Sequence, residues 1–195
     1  IAIGSYSGAI LGKMMNGLPG LFAGMAVGVL ISVVIAFLVG LPTLRLKGDY
    51  LAIATLGIAE IIRVAVTNMK ITNGAAGISG VPLTNTWTIT YIALVLTTIL
   101  ILNYTFSSAG RATYAVLQDE IAAESMGVQV TKYKILAFVL GAATASIGGT
   151  LSATTLGAVT PSDFTFMKSI DVLIIVVFGG IGSFTGSFVA AVLLG

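Results

Sequence analysis

The sequence contains neither cysteine nor histidine among its 195 residues. Their absence excludes disulfide bonds, metal sites built from thiolates or imidazoles, and nucleophilic catalysis by Ser–His–Asp or Cys–His groups. We therefore predict no catalytic residues, no metal site and no cofactor bound by this chain, which we expect not to be an enzyme.

Charged residues are also scarce. They make up 8% of the chain, whereas soluble domains usually carry about 25%. Hydrophobic residues account for 57%, and the net charge is only +2. So few polar groups cannot cover a water-facing surface, which indicates an integral membrane protein. The basic residues form no strong cluster, so no nucleic-acid partner is expected.

Long apolar segments dominate the chain, and a membrane-spanning helix needs about 20 mostly apolar residues. Pro42 is expected to end the first span at Leu41. Residues 1–11 are apolar and are interpreted as the end of a further membrane span. We predict one all-α domain over 1–195, a polytopic transmembrane helical bundle with broken helices, and expect it to be a fragment truncated at both ends. The expected spans are 21–41, 51–66, 87–103, 135–158 and 172–195, the last broken near 179–182.

The connections between the spans differ in positive charge. Those at 43–48 and 104–134 hold more Lys and Arg than those at 13–19, 68–86 and 157–168. Because positive loops remain in the cytoplasm, the first set is predicted to be cytoplasmic.

Small residues recur at four-residue spacing, which places them on one face of a helix. Such rows allow two helix backbones to approach closely. They are consistent with tight packing inside the bundle or with a sliding seam in a moving transporter. The rows are Gly4, Gly8, Gly12; Gly20, Gly24, Gly28; Gly141, Ala145, Gly149, Ala153, Gly157; and Gly182, Gly186.

The span at 51–66 contains charged residues, which are costly at membrane depth and usually face a bundle interior or a wet cavity. Glu60 and Arg63 are three residues apart and can pair on one helix face. Either Arg63 reaches the outer interface with Glu60 as a structural partner, or the pair lines a translocation path. The candidates for that path are Asp49, Thr55, Glu60 and Arg63.

The connection at 104–134 is the largest polar stretch. It is expected to be helical over 109–126, with Gly127 ending a short helix that begins near Glu120. This helix is either a solvated linker on the membrane surface or a docking element. No Gly-rich segment continues into Lys-Ser or Lys-Thr, so the chain has no P-loop. If transport is driven by ATP, another subunit must bind the nucleotide.

Several segments resemble, in order, the permease subunits of bacterial and archaeal ABC importers for branched-chain amino acids. They include KGDYLAIATLG at 47–57 and DEIAAESMG at 119–127. The others are 60–63, 73–74, 77–82, 110–112, 132–134, 164–170 and 178–183.

The resemblance implies a permease that moves an amino acid by alternating access in the bacterial or archaeal cell (inner) membrane. It implies a second permease subunit, two ATPase subunits and an extracytoplasmic binding protein as partners. It also implies a cytoplasmic coupling helix, where Ala122, Ala123 and Gly127 match the family pattern and Ile121 replaces its usual Glu. A bulky side chain at Ala123 is expected to collide with the ATPase cleft rather than with the bundle. The coupling candidates are Arg111, Asp119, Glu120, Ala122, Ala123 and Gly127.

Two alternatives remain open at this point. One is a related ABC permease for urea, amides or another small solute. The other is an ion-coupled secondary transporter or channel, which would not need a charged docking helix at 104–134. A purely structural membrane subunit is disfavoured by Glu60 and Arg63 within a span.

Overall fold

A computed structural model describes residues 1–15, 17–46, 49–180 and 182–194. This part of the chain is almost entirely helical, which confirms the predicted all-α class. Two-residue strands, β1 (Ile78–Ser79) and β2 (Ala158–Val159), pair antiparallel. Short 3₁₀ turns lie at Gly74–Ala76 and Pro161–Phe164. The helices are α1 (Ala2–Met14), α2 (Leu18–Thr43), α3 (Asp49–Asn68), α4 (Trp87–Phe106), α5 (Ser108–Gln118), α6 (Glu120–Ser125), α7 (Val130–Leu156), α8 (Phe166–Gly179) and α9 (Phe184–Leu194).

Within the described residues, four helical stretches are long and apolar enough to cross a membrane: Leu18–Thr43, Tyr50–Asn68, Trp87–Phe106 and Val130–Leu156. The shortest has 19 residues, about 28 Å at helical rise, and a bilayer core is about 30 Å thick. The chain is therefore a multi-pass membrane protein.

Two helix boundaries test the sequence predictions. The predicted end at Leu41 is wrong, because α2 continues through Pro42 to Thr43. A proline this close to the end removes a single backbone donor and leaves little helix to disrupt. The predicted break in the last span is confirmed, since α8 ends at Gly179 and α9 begins at Phe184. Ile181 within that break lies outside the described residues.

The centre of the bundle is formed by α1, α2 and α7, which meet through the predicted small residues. A Cβ on Gly4 would collide with the backbone carbonyl of Ser146, and one on Gly24 would lie 2.8 Å from the Cα of Gly8. The hydroxyl of Thr150 donates to the carbonyl of Gly4 at 2.9 Å. These rows are thus packing surfaces in this structure, although a Cβ on Gly141 would meet nothing within 4 Å.

The helix ends fall into two groups that agree with the predicted sidedness. At one end, the β1–β2 pair joins the 68–86 and 157–168 connections, and the Val81 N–H donates to the Gly157 carbonyl at 2.9 Å. At the other end, a Cβ on Gly40 of α2 would lie 3.5 Å from Phe138 of α7. The 43–46 segment therefore lies near the beginning of α7, and so on the side of the 104–134 connection.

Candidate functional site: a helical connection and a cavity between helices

The connection between α4 and α7 contains the short helix predicted to begin near Glu120, which is α6, and the helical stretch predicted over 109–126 is interrupted before it at Asp119. Asp119 has extended backbone angles, φ −155° and ψ 113°, and separates α5 from α6. Its carboxylate accepts hydrogen bonds from the backbone N–H groups of Ile121 at 2.9 Å and Ala122 at 3.0 Å. Asp is a favoured N-cap because it satisfies donors that the first helical turn leaves unpaired. The cap starts a new helix at Glu120.

The end of α6 is set by Gly127, as the sequence predicted. Its φ of +82° lies in the left-handed region, where glycine is favoured because it has no Cβ. The N–H of Gly127 donates to the Glu124 carbonyl at 2.9 Å, and the N–H of Val128 donates to the Ala123 carbonyl at 3.0 Å. Helix α6 is therefore a separate six-residue element with both ends fixed.

The charged coupling candidates connect this element to the bundle. The Lys134 ammonium lies 2.5 Å from a Glu120 carboxylate oxygen, which joins α6 to the first turns of α7. The Arg111 guanidinium donates to the carbonyl of Phe106 at 2.9 Å and so fixes α5 against the end of α4. In this structure Arg111, Asp119 and Glu120 thus position the connection through contacts within the chain.

The two alanines of the motif face in different directions. Ala122 is exposed, whereas Ala123 is 5% exposed and belongs to the core of the chain. The expectation that a bulky residue at Ala123 would meet an ATPase cleft rather than the bundle is therefore wrong, because that side chain already packs inside this chain.

Exposed apolar side chains that the sequence analysis missed lie along this connection: Tyr114 and Leu117 on α5, Ile121 on α6, and Met126 directly after α6. These side chains are 62–85% exposed although the connection is otherwise polar. Tyr114 and Leu117 are three residues apart and share a face of α5, and this spacing was the available sequence signal, whereas Ile121 lies beyond the break at Asp119. Exposed apolar groups outside the spans can contact a partner protein or the membrane surface.

The predicted ion pair in α3 is present. The Nε of Arg63 lies 2.9 Å and 3.1 Å from the two Glu60 carboxylate oxygens, and its Nη2 also contacts the carboxylate. The two side chains are 33% and 52% exposed respectively, so they do not face the interior of this chain.

Of the other two path candidates, Thr55 is not brought to the pair. The hydroxyl of Thr55 donates to carbonyls of its own helix, those of Leu51 and Ala52. Asp49 begins α3, but its side chain lies outside the described residues.

A cavity of about 230 Å³ lies between α3 and the start of α8 and brings Glu60 together with residues that the sequence analysis did not select. Phe164 closes the 3₁₀ turn, and Phe166 and Ser169 lie in the first turn of α8. The segment 164–170 belongs to the resembling sequence, but nothing in its pattern showed that it meets Glu60. The lining residues are Leu56, Ala59, Glu60, Phe164, Phe166 and Ser169.

The structure is thus a multi-pass helical bundle with an ion pair in one span, a cavity beside it and a helical connection held to the bundle at one end, an arrangement compatible with a membrane permease. The chain belongs to the family described as "Branched-chain amino acid transport system / permease component", whose model matches residues 1–195.

Curated relatives agree with this assignment. The high-affinity branched-chain amino acid transport system permease protein LivM of Salmonella typhimurium is 37% identical over 99% of this chain and 53% of its own length. LivM of Escherichia coli is 36% identical over the same shares. LivH of Salmonella typhimurium is 33% identical over 56% of this chain and 34% of its own. The chain thus spans about half the length of the LivM relatives. No solved structure matches it.

Proposed function

We propose that this chain is a membrane-spanning permease subunit of an ATP-driven ABC importer, which translocates branched-chain amino acids delivered by an extracytoplasmic binding protein. The observation that carries the proposal is the α5–α6 connection. A solvated linker would not need a capped six-residue helix, an ion pair to α7 and exposed apolar side chains at Ile121 and Met126. These are the features that a docking element requires.

The contact between α6 and α7 indicates how docking would drive transport. An ATPase subunit that moves α6 also moves α7 through the Glu120–Lys134 pair. Helix α7 packs directly against α1 and α2 through close contacts at Gly4, Gly28 and Gly40. The motion is thereby transmitted from the cytoplasmic side to the centre of the bundle, which is the displacement that alternating access needs.

The similarity to LivM and LivH, both permease proteins of the high-affinity branched-chain amino acid transport system, supports a branched-chain substrate and a second permease subunit as partner. The assembly would contain two ATPase subunits, which hydrolyse ATP, in a bacterial or archaeal inner membrane. No cofactor need be bound by this chain itself.

Uptake by the full-length transporter in vesicles tests the proposal and its rivals. We expect leucine, isoleucine and valine to accumulate only when binding protein and internal ATP are both present. This uptake should persist when ion gradients are collapsed. Uptake that follows an ion gradient without ATP would identify a secondary transporter. ATP-driven uptake of urea or amides, without leucine uptake, would identify the related ABC permease.

A further inference from the structure

The cavity between α3 and the start of α8 combines one charged group with an apolar lining. Sites for drug-sized ligands usually measure about 300–1,000 Å³, so a cavity of about 230 Å³ suits a smaller molecule. Glu60 supplies the charge among the lining side chains that the structure describes, and Ser169 supplies a hydroxyl on the facing wall. The cavity therefore favours a small ligand that carries a cation and an apolar part.

The Glu60 carboxylate is held in place yet can accept another donor. Arg63 holds it from one side through its Nε and Nη2 groups. A carboxylate has about four lone-pair sites, so an ammonium group can bind while Arg63 remains in contact. Arg63 does not line the cavity and acts as a positioning residue.

The opposite wall is supported by the bundle core. The Phe164 ring lies 6.1 Å from the Tyr6 ring, centroid to centroid, and packs against the buried cluster that includes Ile78 and Val159. Phe166 is 53% exposed at the start of α8. Aromatic rings contribute apolar contact area, and their faces also attract ammonium groups.

The location fits a substrate that arrives from outside. Glu60 lies about 12 Å along α3 from Asn68, at the end of the helix predicted to be extracytoplasmic. The 157–168 connection, which carries Phe164, lies at this same end. The cavity is thus within the membrane but near the predicted outer face.

We propose that this cavity binds the transported amino acid, with its ammonium group on Glu60 and its aliphatic side chain against Phe164 and Phe166. Ser169 provides a hydrogen-bond donor for the substrate carboxylate. The inference rests on the proposed function and adds the residues that select the substrate. Because the charged lining group is an anion, the ammonium group of the ligand contributes more to binding than its carboxylate.

Ligand analogues test, on the unmodified protein, whether the ammonium group contributes more to binding than the carboxylate. Binding of radiolabelled leucine is measured on the purified full-length transporter complex without its binding protein. The competitors are 3-methylbutylamine, which is leucine without the carboxylate, and 4-methylpentanoate, which is leucine without the amino group. We expect the amine to compete about tenfold more strongly or better, since hydrogen bonds to charged groups are the stronger ones. Equal competition, or stronger competition by the acid, overturns the proposal.

Variants with matched controls locate the site. Glu60→Gln should weaken leucine binding by about tenfold or more and remove the preference for the amine. Its control is Asp171→Asn, which removes a carboxylate from the exposed Lys168–Asp171 pair outside the cavity and should bind leucine normally. Equal weakening in both variants overturns the site.

A second pair of variants tests the apolar wall. Phe166→Ala should weaken leucine binding severalfold while alanine binding changes little, because the ring contacts only the longer side chain. Phe178→Ala, which removes a 78% exposed ring elsewhere on α8, should change neither. Normal leucine binding by Phe166→Ala contradicts the assigned wall.

Uptake by the same preparations separates the two proposals. ATP-dependent leucine uptake by the wild type, together with an unchanged amine preference in Glu60→Gln, overturns the cavity and leaves the importer standing. Absence of ATP-dependent uptake of any branched-chain amino acid overturns the importer itself.

Discussion

Lys134 and Glu120 form an ion pair at 2.5 Å that joins α6 to the beginning of α7, fourteen residues further along the chain. The Lys134 side chain is 24% exposed and that of Glu120 is 42% exposed. Pairs this accessible usually contribute about 0–1 kcal/mol to stability. The contact therefore contributes little to holding the fold, and its role in the proposed importer is to connect the motion of α6 to that of α7.

The first prediction is that Lys134→Gln leaves the amount of protein in the membrane nearly unchanged but lowers leucine uptake per ATP hydrolysed. The change removes the charge while it keeps a side chain of similar length. Uptake and ATPase rates are measured together on reconstituted transporter. Lys132→Gln is the control, because Lys132 is an exposed neighbour outside the described ion pairs. A normal ratio of uptake to hydrolysis in Lys134→Gln would contradict a role in coupling.

The second prediction separates the two alanines of α6. Ala122→Leu adds a bulky group to an exposed position next to the exposed Ile121, so the chain should insert normally but assemble poorly with the ATPase. Ala123→Leu adds the same group at a buried position, where overpacking typically costs about 1–3 kcal/mol, so membrane abundance should fall. Copurification and membrane abundance are the two measurements. Full ATPase copurification with Ala122→Leu would indicate that α6 does not dock there.

The third prediction concerns the contact between α1 and α7. Gly4→Ala places a methyl group against the Ser146 backbone and should lower the unfolding temperature of the purified full-length protein, because the helices must separate. Gly141→Ala adds the same methyl group where nothing lies within 4 Å, and alanine favours a helix over glycine by about 1 kcal/mol. This control should be neutral or slightly stabilising. Equal loss of stability in both variants would mean that the close approach of the helices is not the reason why Gly4→Ala destabilises the protein.

The fourth prediction tests sidedness with single cysteines, which the cysteine-free chain allows without background. Leu46→Cys and Gln129→Cys should react from the cytoplasmic side, and Asn73→Cys from outside, with a reagent that cannot cross the membrane. All three positions are exposed. Labelling of Asn73→Cys and Gln129→Cys from the same side would show that the assigned topology is wrong.

The local features of this protein were determined by sequence alone. Apolar runs about as long as a bilayer core is thick indicate the spans, and scarce charge excludes a soluble fold. Glycine at 127 ends α6 because its left-handed φ penalises residues with a Cβ, and glycines at four-residue spacing specify a helix face. Each of these signals lies within one continuous segment, so it can be recognised without knowing how the rest of the chain packs.

The relationships between distant segments were decided by tertiary structure. The sequence selected Glu60 but could not show that Phe164 and Phe166, about a hundred residues later, line the same cavity. It selected Ala122 and Ala123 together, and only packing against the chain's own core buries the second while exposing the first. The physical reason is common to both cases. Which faces meet depends on how helices cross, and that is set by the summed packing of α1, α2 and α7 rather than by any local pattern.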